Sequence, residues 1–222
     1  MTEIDLHYLS VNRTARYATL GNAESPSEVW FVCHGYGQLA APFLRHFATL
    51  DDGRRYLVAP EGLSRFYVDP EHGRGVPTTA VGASWMTRED RERDIADYVA
   101  YLDALRTHVT GSTPTHARVT VLGFSQGVAT ACRWAALGQR DVARLILWAG
   151  DIPPDLDLAA HRDRLTKARV VLVYGTKDRM IPERVRVAAE ERLRAAEIPH
   201  EVETYEGRHH IDASVLAGIA DG

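Results

Sequence analysis

Apolar positions in this chain fall into two rhythms that alternate along its length. VWFVCH is a continuous apolar run, as expected of a strand buried on both faces, and RRYLVAP, RVTVLGF, RLILWAG and RVVLVYG read as further strands. Between them lie stretches with helical spacing. Residues 89–108 place Ile95, Tyr98, Val99, Leu102 and Leu105 on one stripe, and helices are also predicted over 126–137, 156–166, 182–196 and from Ala213 onward. A further helical pattern follows Gly37 and continues to Leu50. HEVETY is the last strand. At the start, 4–9 and 15–20 read as two strands joined by the polar VNRT turn, an antiparallel hairpin. Strands alternating with helices give an α/β class with a mostly parallel, doubly wound sheet. The stretch 61–87 is the exception, rich in Gly and Pro and long enough to be a functional loop. No repeat or linker divides the chain, so 1–222 is read as one domain with 61–87 at the rim of its site.

Composition narrows the partners. A hydrophobic content of 45% with 25% charged residues supplies a core of ordinary size, and the net charge of −4 comes with acids and bases interspersed. No basic stripe is present, which argues against nucleic acid. The opening MTEIDLHYLS has neither the basic nor the apolar part of a secretory signal, and no apolar run approaches a membrane span. With only two cysteines, a cytoplasmic protein without disulfides is the expectation.

The chemistry gathers where strands end. Gly123-Phe124-Ser125-Gln126-Gly127 sits where an apolar strand turns directly into a helix, the context of a nucleophile elbow. Such a turn is sharp, so the residues two before and two after the serine must be small, and both are glycine. A serine hydroxyl needs a base, and the base an orienting acid. In this architecture the order is Ser, acid, His. Two aspartates stand just after strands, Asp151 in WAGDIPPD and Asp178 in YGTKDRMIP. Topology favours Asp178, which follows the strand next to the last. The histidine should follow HEVETY, which selects His209 and His210 without choosing between them. Asp212 reads as the N-cap of the final helix, with Ile211 and Leu216 as its hydrophobic staple. The oxyanion needs two N–H donors. Gln126, after the nucleophile, supplies one, and Tyr36 in His34-Gly35-Tyr36-Gly37 the other. His34 is read as a structural hydrogen-bonding residue of that loop.

With these residues in hand, the chain resembles the α/β-hydrolase fold. Within it, the chain is similar to the phospholipase/carboxylesterase family of small, capless serine esterases and acyl-protein thioesterases. The anchors are H-G-Y-G, G-F-S-Q-G, Gly175-Thr176-Lys177-Asp178-Arg179-Met180-Ile181-Pro182, and a histidine two before Ile211. The resemblance carries the acid onto Asp178 and the base onto His209. It also implies that Trp85 lines the acyl site; an aromatic packed under the long loop is the competing reading of that residue. Three positions depart from the pattern: Arg208 for a glycine, Val128 for a glycine and Gln38 for an aspartate.

The function implied is cleavage of carboxylic esters with short to medium acyl chains, with lysophospholipids, thioesters or polyester fragments within its range. Phe66, Tyr67, Trp85 and Met86 offer apolar surface for the substrate; Arg65, His72 and Arg74 of the same loop read equally well as solvent-facing. The expected partner is a small-molecule ester, with a homodimer allowed by the sequence. No metal or organic cofactor is expected, since neither H-E-x-x-H nor C-x-x-C occurs. Two other classes compete: a peptidase or amidase on the same fold, and a hydrolase-fold binding protein without catalysis.

Overall fold

The computed structural model describes residues 4–68, 80–111 and 117–222. His72 and Arg74 lie outside these. Seven strands form the main sheet: β1 Tyr17–Gly21, β2 Glu28–Cys33, β3 Arg55–Pro60, β6 Arg118–Phe124, β7 Arg144–Trp148, β8 Arg169–Gly175 and β9 His200–Tyr205. Their order is β1-β3-β2-β6-β7-β8-β9. All neighbours are parallel except β1, which pairs antiparallel with β3 from Tyr17↔Pro60 to Gly21↔Tyr56. The antiparallel element at the N-terminus is therefore present, and β3 is its partner. Residues 4–16 carry no strand.

Continuous apolar runs arise because each central strand is covered twice. In β2, Val29, Phe31 and Cys33 belong to one core, and Trp30 and Val32 to the other. The first core is closed by α2 (Arg91–Thr110), α3 (Gln126–Leu137) and α5 (Glu183–Ala195), through Tyr98, Leu102, Trp134 and Leu193. The second is closed by α1 (Ala40–Leu44), the 3₁₀ turn Arg45–Leu50 and α6 (Ala213–Asp221), through Phe43, Phe47, Leu216 and Ile219. The remaining helix, α4, is a single turn, Arg162–Leu165. That is shorter than the 156–166 pattern predicts. Leu156 and Leu158 are nevertheless buried, held by turns rather than helix. Among the described residues, no helix is long and apolar enough to cross a membrane.

Within 61–87, two short strands, β4 Ser64–Tyr67 and β5 Val81–Ser84, form a separate antiparallel pair. This hairpin is joined to the loop after β2 by two backbone hydrogen bonds, Gly37 N–H to Ala83 O and Ala83 N–H to Gln38 O. The approach is so close that a Cβ on Gly82 would stand 2.5 Å from the Gly37 carbonyl oxygen.

Two buried polar residues fix the same loop. Glu61 is 3% exposed; it takes a two-pronged hydrogen bond from Arg16 and accepts the Ala40 N–H at the start of α1. The His34 ring is fully buried. Its Nε2 lies 2.9 Å from the Gly62 nitrogen and its Nδ1 2.8 Å from the Gly35 oxygen. A carbonyl can only accept, so Nδ1 carries the proton and Nε2 accepts from Gly62. Burial holds this imidazole below its ordinary pKa, outweighing the Gly35 carbonyl and the Glu61 charge.

Two outcomes follow. Asp212 accepts N–H bonds from Ser214 and Val215 at the start of α6, so Asp212→Ala should lower stability by about 1 kcal/mol in urea unfolding at neutral pH. For His34, the unfolded chain protonates near 6.5 while the folded chain resists. Its contribution to stability is thus complete above 6.5 and is lost as the pH falls through the lower folded value. An NMR titration should find the Nδ1–H tautomer with a pKa below 6.5; a value at or above 6.5 contradicts it.

Candidate active site

The elbow is built by a steric constraint on both sides of Ser125. This residue has φ 53° and ψ −117°, a conformation that L-residues adopt only when their surroundings impose it. A Cβ on Gly123 would lie 2.2 Å from the Gly127 oxygen, and one on Gly127 would lie 2.2 Å from the Cys33 oxygen. Only glycine at both positions lets β6 turn into α3 while α3 presses on the end of β2. The Ser125 N–H is held by the Trp148 carbonyl of β7. Gln126 is the first residue of α3, where the N–H has no acceptor within the helix.

On the other side of Ser125 lies the loop after β2. A Cβ on Gly35 would stand 3.2 Å from the Ser125 Cβ, so the loop backbone and the serine are neighbours. Gln38 turns its side chain back to accept the Gly35 N–H at 2.8 Å. No acceptor is recorded for the Tyr36 N–H among the described residues. The Tyr36 side chain is exposed and stacks on Phe66, with ring centroids 5.1 Å apart.

Asp178 and His209 stand in the loops after β8 and β9. Asp178 Oδ1 accepts the N–H groups of Met180 and Ile181, at 2.8 and 3.2 Å. Its Oδ2 lies 2.7 Å from His209 Nδ1. An ionised carboxylate only accepts, so His209 donates from Nδ1 and keeps Nε2 as a base. The acid side chain is 1% exposed and the histidine 17%, so the pair is shielded while one ring edge meets solvent. The His209 ring packs 5.0 Å from that of Phe124, the residue before Ser125. The Ser125 hydroxyl has no hydrogen-bond partner among the described residues. Catalytic hydrogen bonds are often loose before substrate binds.

Of the adjacent histidines, His209 is the one bonded to Asp178. His210 is exposed, and its carbonyl accepts Trp148 Nε1–H and the Tyr205 hydroxyl. Asp151, the other candidate acid, forms no hydrogen bond or ion pair with either histidine among the described residues. It lines a cleft of about 450 Å³ beside Ser125, shared with Met86, Ala129, Pro153, Pro154 and Ile181.

The other expected substrate contacts distribute unevenly. Met86 is in the cleft; Phe66 and Tyr67 are not. Phe66 lies under Tyr36, Tyr67 is exposed, and Arg65 leans toward Glu61. Trp85 is 2% exposed, its indole N–H donating to the His34 carbonyl and its ring packed between His34 and Tyr98. In this structure it supports the loop after β2 from below.

One role escaped the sequence. The Gln126 side chain ties the start of α3 to 84–86, accepting Trp85 N–H and donating to Met86 O and Ser84 Oγ. Its place one residue after the serine was the available signal, but that draws attention to its backbone N–H alone. Among the described residues, no group of three or more His, Cys, Asp or Glu is placed to hold a metal ion.

The fold recurs in solved structures at low identity. Acyl-protein thioesterase 2 of Zea mays superposes with a TM-score of 0.72 at 15% identity, covering 94% of this chain and 97% of that one. Esterase PE8 gives 0.67 at 19%, covering 94% and 99%. A phospholipase/carboxylesterase from Dyadobacter fermentans gives 0.64 at 15%, covering 96% and 97%. Among curated proteins, none matches the chain in sequence. The phospholipase/carboxylesterase family model matches residues 18–221, a span that takes in the elbow, the acid turn and the histidine loop. The chain is accordingly a member of the phospholipase/carboxylesterase family of α/β hydrolases.

Proposed function

We propose that this protein is a serine hydrolase that cleaves carboxylic esters or thioesters through an acyl-enzyme on Ser125. The observation that carries the reading is the strained elbow at Ser125 at the same carboxyl end of the parallel strands as the hydrogen-bonded Asp178–His209 pair. Asp178 holds the His209 tautomer in which Nε2 is free to take the serine proton. Ser125 Oγ attacks the carbonyl carbon. The negative charge that develops on the carbonyl oxygen is met by the N–H groups of Tyr36 and Gln126, at the positive end of α3. His209 then protonates the departing alcohol or thiol, and water, deprotonated by the same ring, releases the acid.

The cleft beside Ser125 supports a small substrate. Its volume is within the range of small-molecule sites, and Met86, Ala129, Ile181 and the two prolines give it apolar wall. Short to medium acyl chains suit that size. Thioester cleavage is included because structural relatives bear the name of acyl-protein thioesterase. The segment 61–87 forms the rim of the site, and the whole chain acts as one domain in the cytoplasm.

Ser125→Ala should lower kcat/KM on p-nitrophenyl butanoate by about 10³-fold or more. A variant that keeps its rate rules out Ser125 as the nucleophile. A second comparison separates the histidines. His209→Ala and Asp178→Asn should each lose roughly 10³-fold or more, whereas His210→Ala should stay within about threefold of the parent. The reverse pattern for the histidines would move the base to His210.

A further inference from the structure

Asp151 lies on the wall of the cleft that holds the nucleophile, yet the mechanism gives it no task. Its loop touches the elbow directly: a Cβ on Gly150, the residue before, would stand 2.5 Å from the Ser125 oxygen. The loop is also held fast. Arg192 of α5 donates to the carbonyls of Ile152, Pro153 and Leu156, at 2.8, 3.1 and 2.9 Å, and Ile152 is buried. The guanidinium nearest the carboxylate is thus committed to backbone oxygens.

The other cations of the cleft leave Asp151 free as well. Arg133 is buried and paired with Asp155 at 2.7 Å, and neither it nor Arg88 forms an ion pair with Asp151. The Ile152 N–H of its own loop favours the ionised form of the carboxylate. Asp151 is exposed to the cleft, and the surrounding walls still raise its pKa, with Arg192 opposing. A carboxylate in that position discriminates between substrates. A plain alkyl chain laid across it removes water and returns nothing; a chain carrying an O–H or N–H group replaces that water with a hydrogen bond.

We infer that Asp151 is a specificity residue that accepts a hydrogen bond from a hydroxyl or ammonium group on the substrate chain in this cleft. The preferred substrates are then hydroxylated or aminated esters rather than simple alkyl esters. The inference rests on the ester-hydrolase reading of Ser125.

The test compares matched esters within each enzyme preparation, so that the ratio does not depend on the folded fraction. The acyl series is p-nitrophenyl butanoate to octanoate, each with its ω-hydroxy and ω-ammonio analogue. The alcohol series sets butyl acetate against ω-hydroxybutyl acetate. The parent enzyme should favour a donor-bearing ester by roughly tenfold or more in kcat/KM in at least one series. Asp151→Leu should abolish that ratio. The isosteric Asp151→Asn should keep a hydroxyl preference and lose an ammonium one, which identifies the donor. Equal ratios in the parent and both variants, in both series, would overturn the inference while leaving the hydrolase reading intact. Activity surviving in Ser125→Ala would instead overturn the reading beneath it.

Discussion

Among the tightest backbone contacts of the described residues is that between Gly127 and the end of β2. No side chain fits there, because its first atom would overlap the Cys33 oxygen. The consequence reaches well beyond one glycine. With α3 pressed against β2, the helix N-terminus, the serine before it and the loop after β2 are forced into one small volume. Ser125 must then take a positive φ, since no relaxed turn reverses a strand into a helix over so short a distance. Ser125 and the backbone of the loop after β2 are therefore neighbours because of packing alone.

The loop after β2 depends in turn on groups far away in sequence. His34 reaches Gly62, Glu61 reaches Ala40 and Arg16, and β5 zips onto Gly37 and Gln38. Each of these partners is uncharged or paired, as buried polar atoms must be. Trp85 completes the arrangement from beneath. A large aromatic ring with its N–H satisfied by the His34 carbonyl is a prop, and it explains how so irregular a loop keeps a defined backbone.

What the sequence disclosed followed from how local each signal is. β2, β6, β7 and β8 announce themselves because both faces are buried, so beyond a charged first residue and Thr120 of β6 their runs are apolar. α3 begins at Gln126, as expected, because the elbow fixes its start within two residues. Asp212 caps α6 for the same local reason. The N-terminal strand was legible as a strand, but its partner was not. A period-two pattern says that a segment can pair, while pairing with β3 is a long-range choice. The two four-residue strands of the 61–87 stretch were hidden for a different reason: Gly and Pro dominate the surroundings, and four residues are too few to show a period. Packing of Trp85 under the long loop was one of its two readings, whereas Gln126 was visible as a residue but not in its side-chain role, which depends on Trp85 and Met86 rather than on neighbours in the chain. The choice of His209 over His210 likewise needed more than spacing, since both belong to the same loop.

The doubled histidine has a simple physical meaning. His210 serves the site through its carbonyl oxygen, which draws two donors, Trp148 and Tyr205, from beneath the loop. Every amino acid possesses that oxygen. The position is therefore anchored by a group that substitution does not remove, whichever side chain stands there, while its imidazole meets the Tyr205 ring edge-on.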